Sequence, residues 1–235
     1  MYSKMIIPLL AAIGFNMVSQ AQDKSQGIVK YDVTLFLHAS LKPDQQQFKD
    51  MIPETAVNKE TLYYNGNKTK VTLKDPDEIE SEEGAHVKIK MGNDNEEAVY
   101  TDGSTNESYV LKNEEGKKYL EKVSRKKNDL GKPNGDVKGI QDSVFVNAAM
   151  DKSSSRTKEI LGYTCKERVI KGKGEKITLW VTTDLPFKGG PMHMYSPEGA
   201  VLGVESNKFK AIATSIDNVP VKPEEVALPQ NIPVK

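Results

Sequence analysis

Asp75, Asp77, Glu78, Glu80, Glu82 and Glu83 form the densest acidic run of the chain, and the chemistry such a run suggests is calcium binding. A helix–loop–helix calcium loop begun at Asp75 needs glycine at its sixth position and glutamate at its twelfth. Glu80 and His86 stand there instead. The run reads as a solvated loop between strands, because clustered like charges stay in water unless a cation compensates them. Asn93-Asp94-Asn95-Glu96-Glu97 reads the same way. Histidines could build a metal or acid–base centre, but His38, His86 and His193 share no spacing that puts two on one strand face or one helix turn. Cys165 is the single cysteine, and Lys166 beside it points to the opposite strand face, where it cannot lower the thiol pKa. A buried, inert thiol is expected, with an intermolecular disulfide as the alternative. Gly172-Lys173-Gly174 suits a hairpin turn and is too short to cradle phosphate. No catalytic residue, metal ligand or cofactor ligand is assigned, and the expectation is a protein that is not an enzyme.

The elements that position these residues are mostly strands. Val29, Tyr31, Val33, Leu35 and Leu37 alternate with Lys30, Asp32 and Thr34, the period of a strand with one buried and one wet face. Residues 69–74, 86–91 and 176–182 repeat the pattern, and weaker versions run through 98–101, 108–112, 117–123, 143–146, 163–170, 200–205 and 209–216. Asn65-Gly66-Asn67, Asp102-Gly103 and Glu115-Gly116 supply hairpin turns between them. One helix is predicted over residues 43–52, with Pro43 in its first turn and Leu41, Phe48, Met51 and Ile52 set to pack on the sheet. A second helical turn is expected around 148–158, a lysine- and glycine-rich loop over 124–139, and a tail from Val219 whose prolines keep it out of a central strand. Trp180 falls opposite Ile177, Leu179 and Val181 on the nominally wet face. It therefore needs a cover, for which helix 43–52, loop 191–195 and the tail are the candidates.

The 235 residues carry 33 Lys and Arg against 33 Asp and Glu, a balance that excludes a basic nucleic-acid binder. One cysteine excludes a disulfide framework. Lys4, the apolar run Met5–Ile13 and the small residues Ser19 and Ala21 form a cleavable signal peptide, residues 1–21, cut after Ala21. The apolar run is too short to span a bilayer, and no cysteine follows the cut to accept a lipid. The expectation is a periplasmic or secreted protein, not a lipoprotein, with no transmembrane segment after cleavage and one antiparallel β domain over residues 22–235.

Three segments carry a family resemblance. Thr157–Lys166 resembles the K-x-I-x-G-Y-x-C segment of a group of Bacteroidetes envelope proteins, and Leu179–Pro186 their W-x-T-x-x-I/L-P strand. Gly190-Pro191 followed by Pro197-Glu198-Gly199-Ala200-Val201-Leu202 is similar to the turn and strand that name the GLPGLI family. Glu198 is inserted into that turn, which favours a related family of unknown function over GLPGLI itself. The resemblance implies an architecture similar to the LolA/LolB lipoprotein carriers: a curved, incompletely closed antiparallel half-barrel with one or two helices on its concave side. On this reading the concave face binds a lipid, an acylated protein or another apolar ligand. Its lining would be Val33, Leu35, Leu37, Val71, Leu73, Val87, Ile89, Ile177, Leu179 and Val181. The alternative is a structural or interaction module of the cell envelope, meeting a protein partner, in which the same side chains fill a packed core. No cofactor is implied.

Overall fold

A strand whose alternate residues are apolar can bury one face, and β1 (Gln26–Phe36) does so along its whole length, with Val29, Tyr31, Val33 and Leu35 all inward. The structure, a computed structural model, describes residues 23–73, 79–80, 86–87, 95–123, 155–171 and 176–235. The expected signal peptide over residues 1–21, loop over 124–139, strand over 143–146 and hairpin turn at 172–174, with most of the acidic run, lie outside these residues.

After β1 come one helical turn, α1 (Leu37–Ser40), a 3-10 helix at Pro43–Met51, and the strands β2 (Thr55–Asn65) and β3 (Lys68–Leu73). β4 (Ile79–Glu80) and β5 (His86–Val87) pair only with each other. β6 (Glu96–Asp102), β7 (Glu107–Glu114), β8 (Lys117–Lys122), β9 (Thr157–Ile160), β10 (Tyr163–Lys171), β11 (Lys176–Thr182), β12 (Ala200–Glu205), β13 (Phe209–Asp217) and α2 (Pro223–Val226) complete the order. Eleven strands form one open antiparallel sheet in the order β8-β7-β6-β3-β2-β1-β13-β12-β11-β10-β9. The chain thus builds outward from β1 to one edge, resumes at the other edge with β9, and closes inward on β1 through β13.

The expectation of a mainly β protein with an open antiparallel sheet is met; its finer likeness to the LolA/LolB carriers is not supported. Among the described residues α1 and α2 span four residues each, one turn apiece and too short to lid a concave face. The segment predicted as a packing helix is a 3-10 helix instead, with Pro43 in its first turn and Met51 65% exposed. Three residues per turn break up the 3.6-period face that the prediction relied on.

Two strands differ from expectation. β2 was not anticipated, because Asn58 and Glu60 occupy inward positions in the alternation Ala56, Asn58, Glu60, Leu62, Tyr64 and disguise the buried face. β9 replaces the expected helical turn around 148–158 for residues 157–158. It folds onto β10 through Leu161-Gly162, both at positive φ, as a type I′ hairpin requires. The proline-rich tail adds no strand to the middle of the sheet, as expected, but it lies against it: Asn65 of β2 donates to the Val221 carbonyl and the Val221 amide donates to the Gln26 side chain of β1. It buries Val221 and Val226, packs Ile232 against Ala98, Tyr100, Leu111 and Leu120, and ends in a bridge from Val234 to Leu120 on the outermost strand β8.

Candidate functional site

The residues proposed to line one apolar face do not all meet. Val33, Leu35, Ile177, Leu179 and Val181 join one buried cluster with Val201, Val204, Phe209 and Ala211, and Leu37 packs at its margin. Val71 belongs to a different cluster, built around Tyr31, Tyr64 and Phe187. Leu73 is in β3, Val87 lies in the separate β4–β5 pair, and Ile89 lies outside the described residues. Along β11 the alternation splits: Leu179 and Val181 enter one cluster while Trp180 between them enters the other, so this strand is buried on both sides.

The chain from Thr183 to Gly199 crosses the inward face of β2, and it covers a strongly perturbed carboxylic acid, Glu60. Glu60 lies opposite Tyr31 of β1 and is only 2% exposed. Its Oε2 accepts a hydrogen bond of 2.8 Å from the Met192 amide, and its Oε1 is buried with no partner. Burial pushes the carboxyl up to about 7, against the opposing pull of the Met192 N–H. His193 is held below its ordinary range by burial, with the Glu96 charge opposing and the Lys112 charge adding to that shift. Met192 and His193 are both left-handed at φ 53° and 58°, conformations that cost energy for residues with a Cβ. The Tyr195 hydroxyl donates to Asn106, and Arg168 of β10 grips Glu198, the residue inserted into the family-like turn, through its guanidinium. A carboxyl near pKa 7 suits proton transfer, and here it is buried beneath this segment. Among the described residues no group of three His, Cys, Asp or Glu side chains is placed to hold a metal ion.

A second cluster lies on β9–β12, where Lys158 and Glu205 reach solvent above a buried Trp180. Trp180 faces Gly203 across the β11–β12 pair, where a Cβ would lie 3.1 Å from the indole Cδ1 and 3.2 Å from Ile160 Cδ1. The glycine therefore leaves the space in which the ring is seated, and the ring is 7% exposed. Lys158 Nζ stands 5.3 Å from the ring centroid and bonds Glu205 at 2.8 Å, with both side chains 37% exposed. Burial pushes the Glu205 carboxyl up, and Lys158 together with the indole more than offsets this, leaving it below its ordinary range. Trp180 Nε1 is buried without a hydrogen bond of full geometry. The expected cover is present, but β9 and its ion pair supply it, not the helix, the loop or the tail. In the sequence, Lys158 alternating with Ile160 in a short strand was the signal for it, hidden by the helical reading of that segment. Cys165 is fully buried as expected, and burial pushes its thiol up to about 11.

Comparison with known proteins corrects the earlier resemblance. The family model of the N-glycanase peptide N-terminal domain, from PNGase F-II, matches residues 93–233. Two solved structures of PNGF-II share the fold. The one in space group C2 has a TM-score of 0.56 at 18% identity and covers 89% of this chain and 31% of its own. The one in P21 has a TM-score of 0.55 at 18% identity, covering 90% and 31%. The chain thus spans 31% of the length of these structures, and their likeness covers more of it than the family match does. No curated protein matches the sequence. The match to this domain overturns the assignment to a GLPGLI-related, LolA-like family, and with it both the lipid-binding reading and the envelope-module alternative. The motif residues behind that assignment have a structural explanation. A Cβ on Gly199 would lie 2.2 Å from the Thr182 carbonyl oxygen and one on Gly190 2.6 Å from Val201 Cβ, so both glycines mark close backbone approaches.

Proposed function

This chain belongs to the PNGase F-II N-terminal domain family, and from that membership we propose that it is a non-catalytic module that engages N-glycosylated proteins. The observation that carries the reading is the match of residues 93–233 to the N-terminal domain of an N-glycanase. The relatives' extra length supports an accessory role, since this fold makes up 31% of their chain. Glu60, whose carboxyl is raised to about 7, is buried beneath residues 183–199, and Glu97, Glu107 and Glu205 are held in ion pairs with Lys118, Lys122 and Lys158. Both facts favour binding over catalysis. We place its action after export, with residues 1–21 removed as a signal peptide.

The test mixes the purified chain starting at Gln22 with an N-glycosylated protein and with the same protein carrying no glycan, in a titration calorimeter. Binding to the glycosylated form alone, with the glycan still attached by mass spectrometry afterwards, is expected. Release of the glycan would overturn the non-catalytic reading, and equal or absent binding would overturn the glycan reading.

A further inference from the structure

We infer that Trp180, Lys158 and Glu205 form a saccharide subsite on the β9–β12 part of the sheet, an assignment that rests on the glycan-binding reading above. Trp180 is the one tryptophan of the chain. Gly203 makes room for the indole, Ile160 and Ile212 approach the same space, and Lys158 stands over the ring. The lysine is held there by Glu205 in a pair that is 37% exposed at each end, and such surface pairs open at little cost. Opening it presents a flat π-surface flanked by a three-donor ammonium and a carboxylate acceptor.

That combination fits a pyranose. A sugar ring has an apolar C–H face that lies on an aromatic plane, and hydroxyls at its rim that need both donors and acceptors. The two charges cancel, so the subsite favours a neutral sugar over an anionic group. Trp180 Nε1 is buried beside the Glu205 carboxylate without a hydrogen bond of full geometry, and a sugar hydroxyl that displaces this carboxylate would accept from it. Among the described residues Glu60 is the other buried group with an unpartnered atom, and it is covered by residues 183–199, whereas Lys158 and Glu205 are reachable from solvent.

Because Trp180 is the sole tryptophan, its emission reports this site alone. A free N-linked oligosaccharide is titrated into the chain starting at Gln22, with heat and fluorescence followed in parallel, for wild type, Lys158→Ala and Glu205→Gln. The ion pair is exposed, so both variants fold, which circular dichroism checks. The expected result is a saturable emission change whose midpoint agrees with the calorimetric one, and at least fivefold weaker binding in each variant. Heat without an emission change, or variants that keep wild-type affinity, would overturn the subsite and leave the proposed function standing. So would binding of the intact glycoprotein without binding of the free oligosaccharide. If neither ligand binds by either method, the subsite and the proposed function both fall.

Discussion

Glu60 and Met192 are 132 residues apart in the chain, and one hydrogen bond of 2.8 Å from the Met192 amide to Oε2 joins them in the interior. The bond satisfies half of the carboxylate and leaves Oε1 alone. An acid in that position is better tolerated neutral than charged.

Stability should therefore fall as pH rises. Burial raises the Glu60 pKa from 4.5 to about 7, so its contribution is full below pH 4.5 and lost as pH climbs through 7. The span corresponds to on the order of 3 kcal/mol. His193 acts oppositely: its lowered pKa contributes stability above about pH 6.5 that disappears on acidification. Glu60→Gln removes the first effect and leaves the second. Urea midpoints at pH 5 and pH 8 should show the variant gaining on wild type at the higher pH; parallel curves would disprove the assignment.

Gly203→Ala should be costly for its size. The added methyl meets Trp180, Ile160 and Ile212 at 3.1–3.4 Å, and overpacking of that kind costs roughly 1–3 kcal/mol. In wild type the Trp180 emission should be blue-shifted and poorly quenched by acrylamide. The variant should melt lower and quench faster, and an unchanged spectrum and Tm would contradict the packing described.

Cys165 should resist labelling. Its thiol is fully buried and burial pushes its pKa up to about 11, so both access and thiolate are scarce. Reaction with a thiol reagent at pH 8 is expected to be at least a hundredfold slower folded than in urea. Equal rates would show that the sheet does not cover it.

Ending the chain at Gln230 should uncover Ala98, Tyr100, Leu111 and Leu120, which Ile232 packs against, and remove the Leu120–Pro233 hydrogen bond. The loss is on the order of 1–3 kcal/mol, with increased binding of a hydrophobic dye. A truncated chain as stable and dye-inert as wild type would mean that the tail is merely adjacent.

The parts of the fold that were legible are those where chemistry and geometry agree. β1, with apolar residues at every second position, and Glu115-Gly116, both at positive φ in the β7–β8 turn, could be read directly. β2 could not, because an inward asparagine and glutamate imitate a solvated face until their burial is seen. The candidate site was less visible than the fold. Trp180 stood out as needing a cover, but Lys158 and Glu205 are 47 residues apart and meet only because β9, β11 and β12 align, which no local pattern encodes. Gly190 and Gly199 suggested another family, whereas what they record is the close approach of backbone to Val201 and Thr182.

The central seam of the sheet governs how the molecule is made. β1 pairs with β13, Ile28 opposite Asp217, so the middle of the sheet joins two stretches at opposite ends of the chain. The hairpins β2–β3, β6–β7, β7–β8, β9–β10 and β10–β11 can each form locally, whereas the seam must close a loop of nearly the whole chain. Closure of long loops is slow even when it costs little in final stability. Until it happens β1 offers one unpaired edge at the heart of the molecule, and the rate of that single encounter sets how long the edge stays open to pairing with a neighbouring chain.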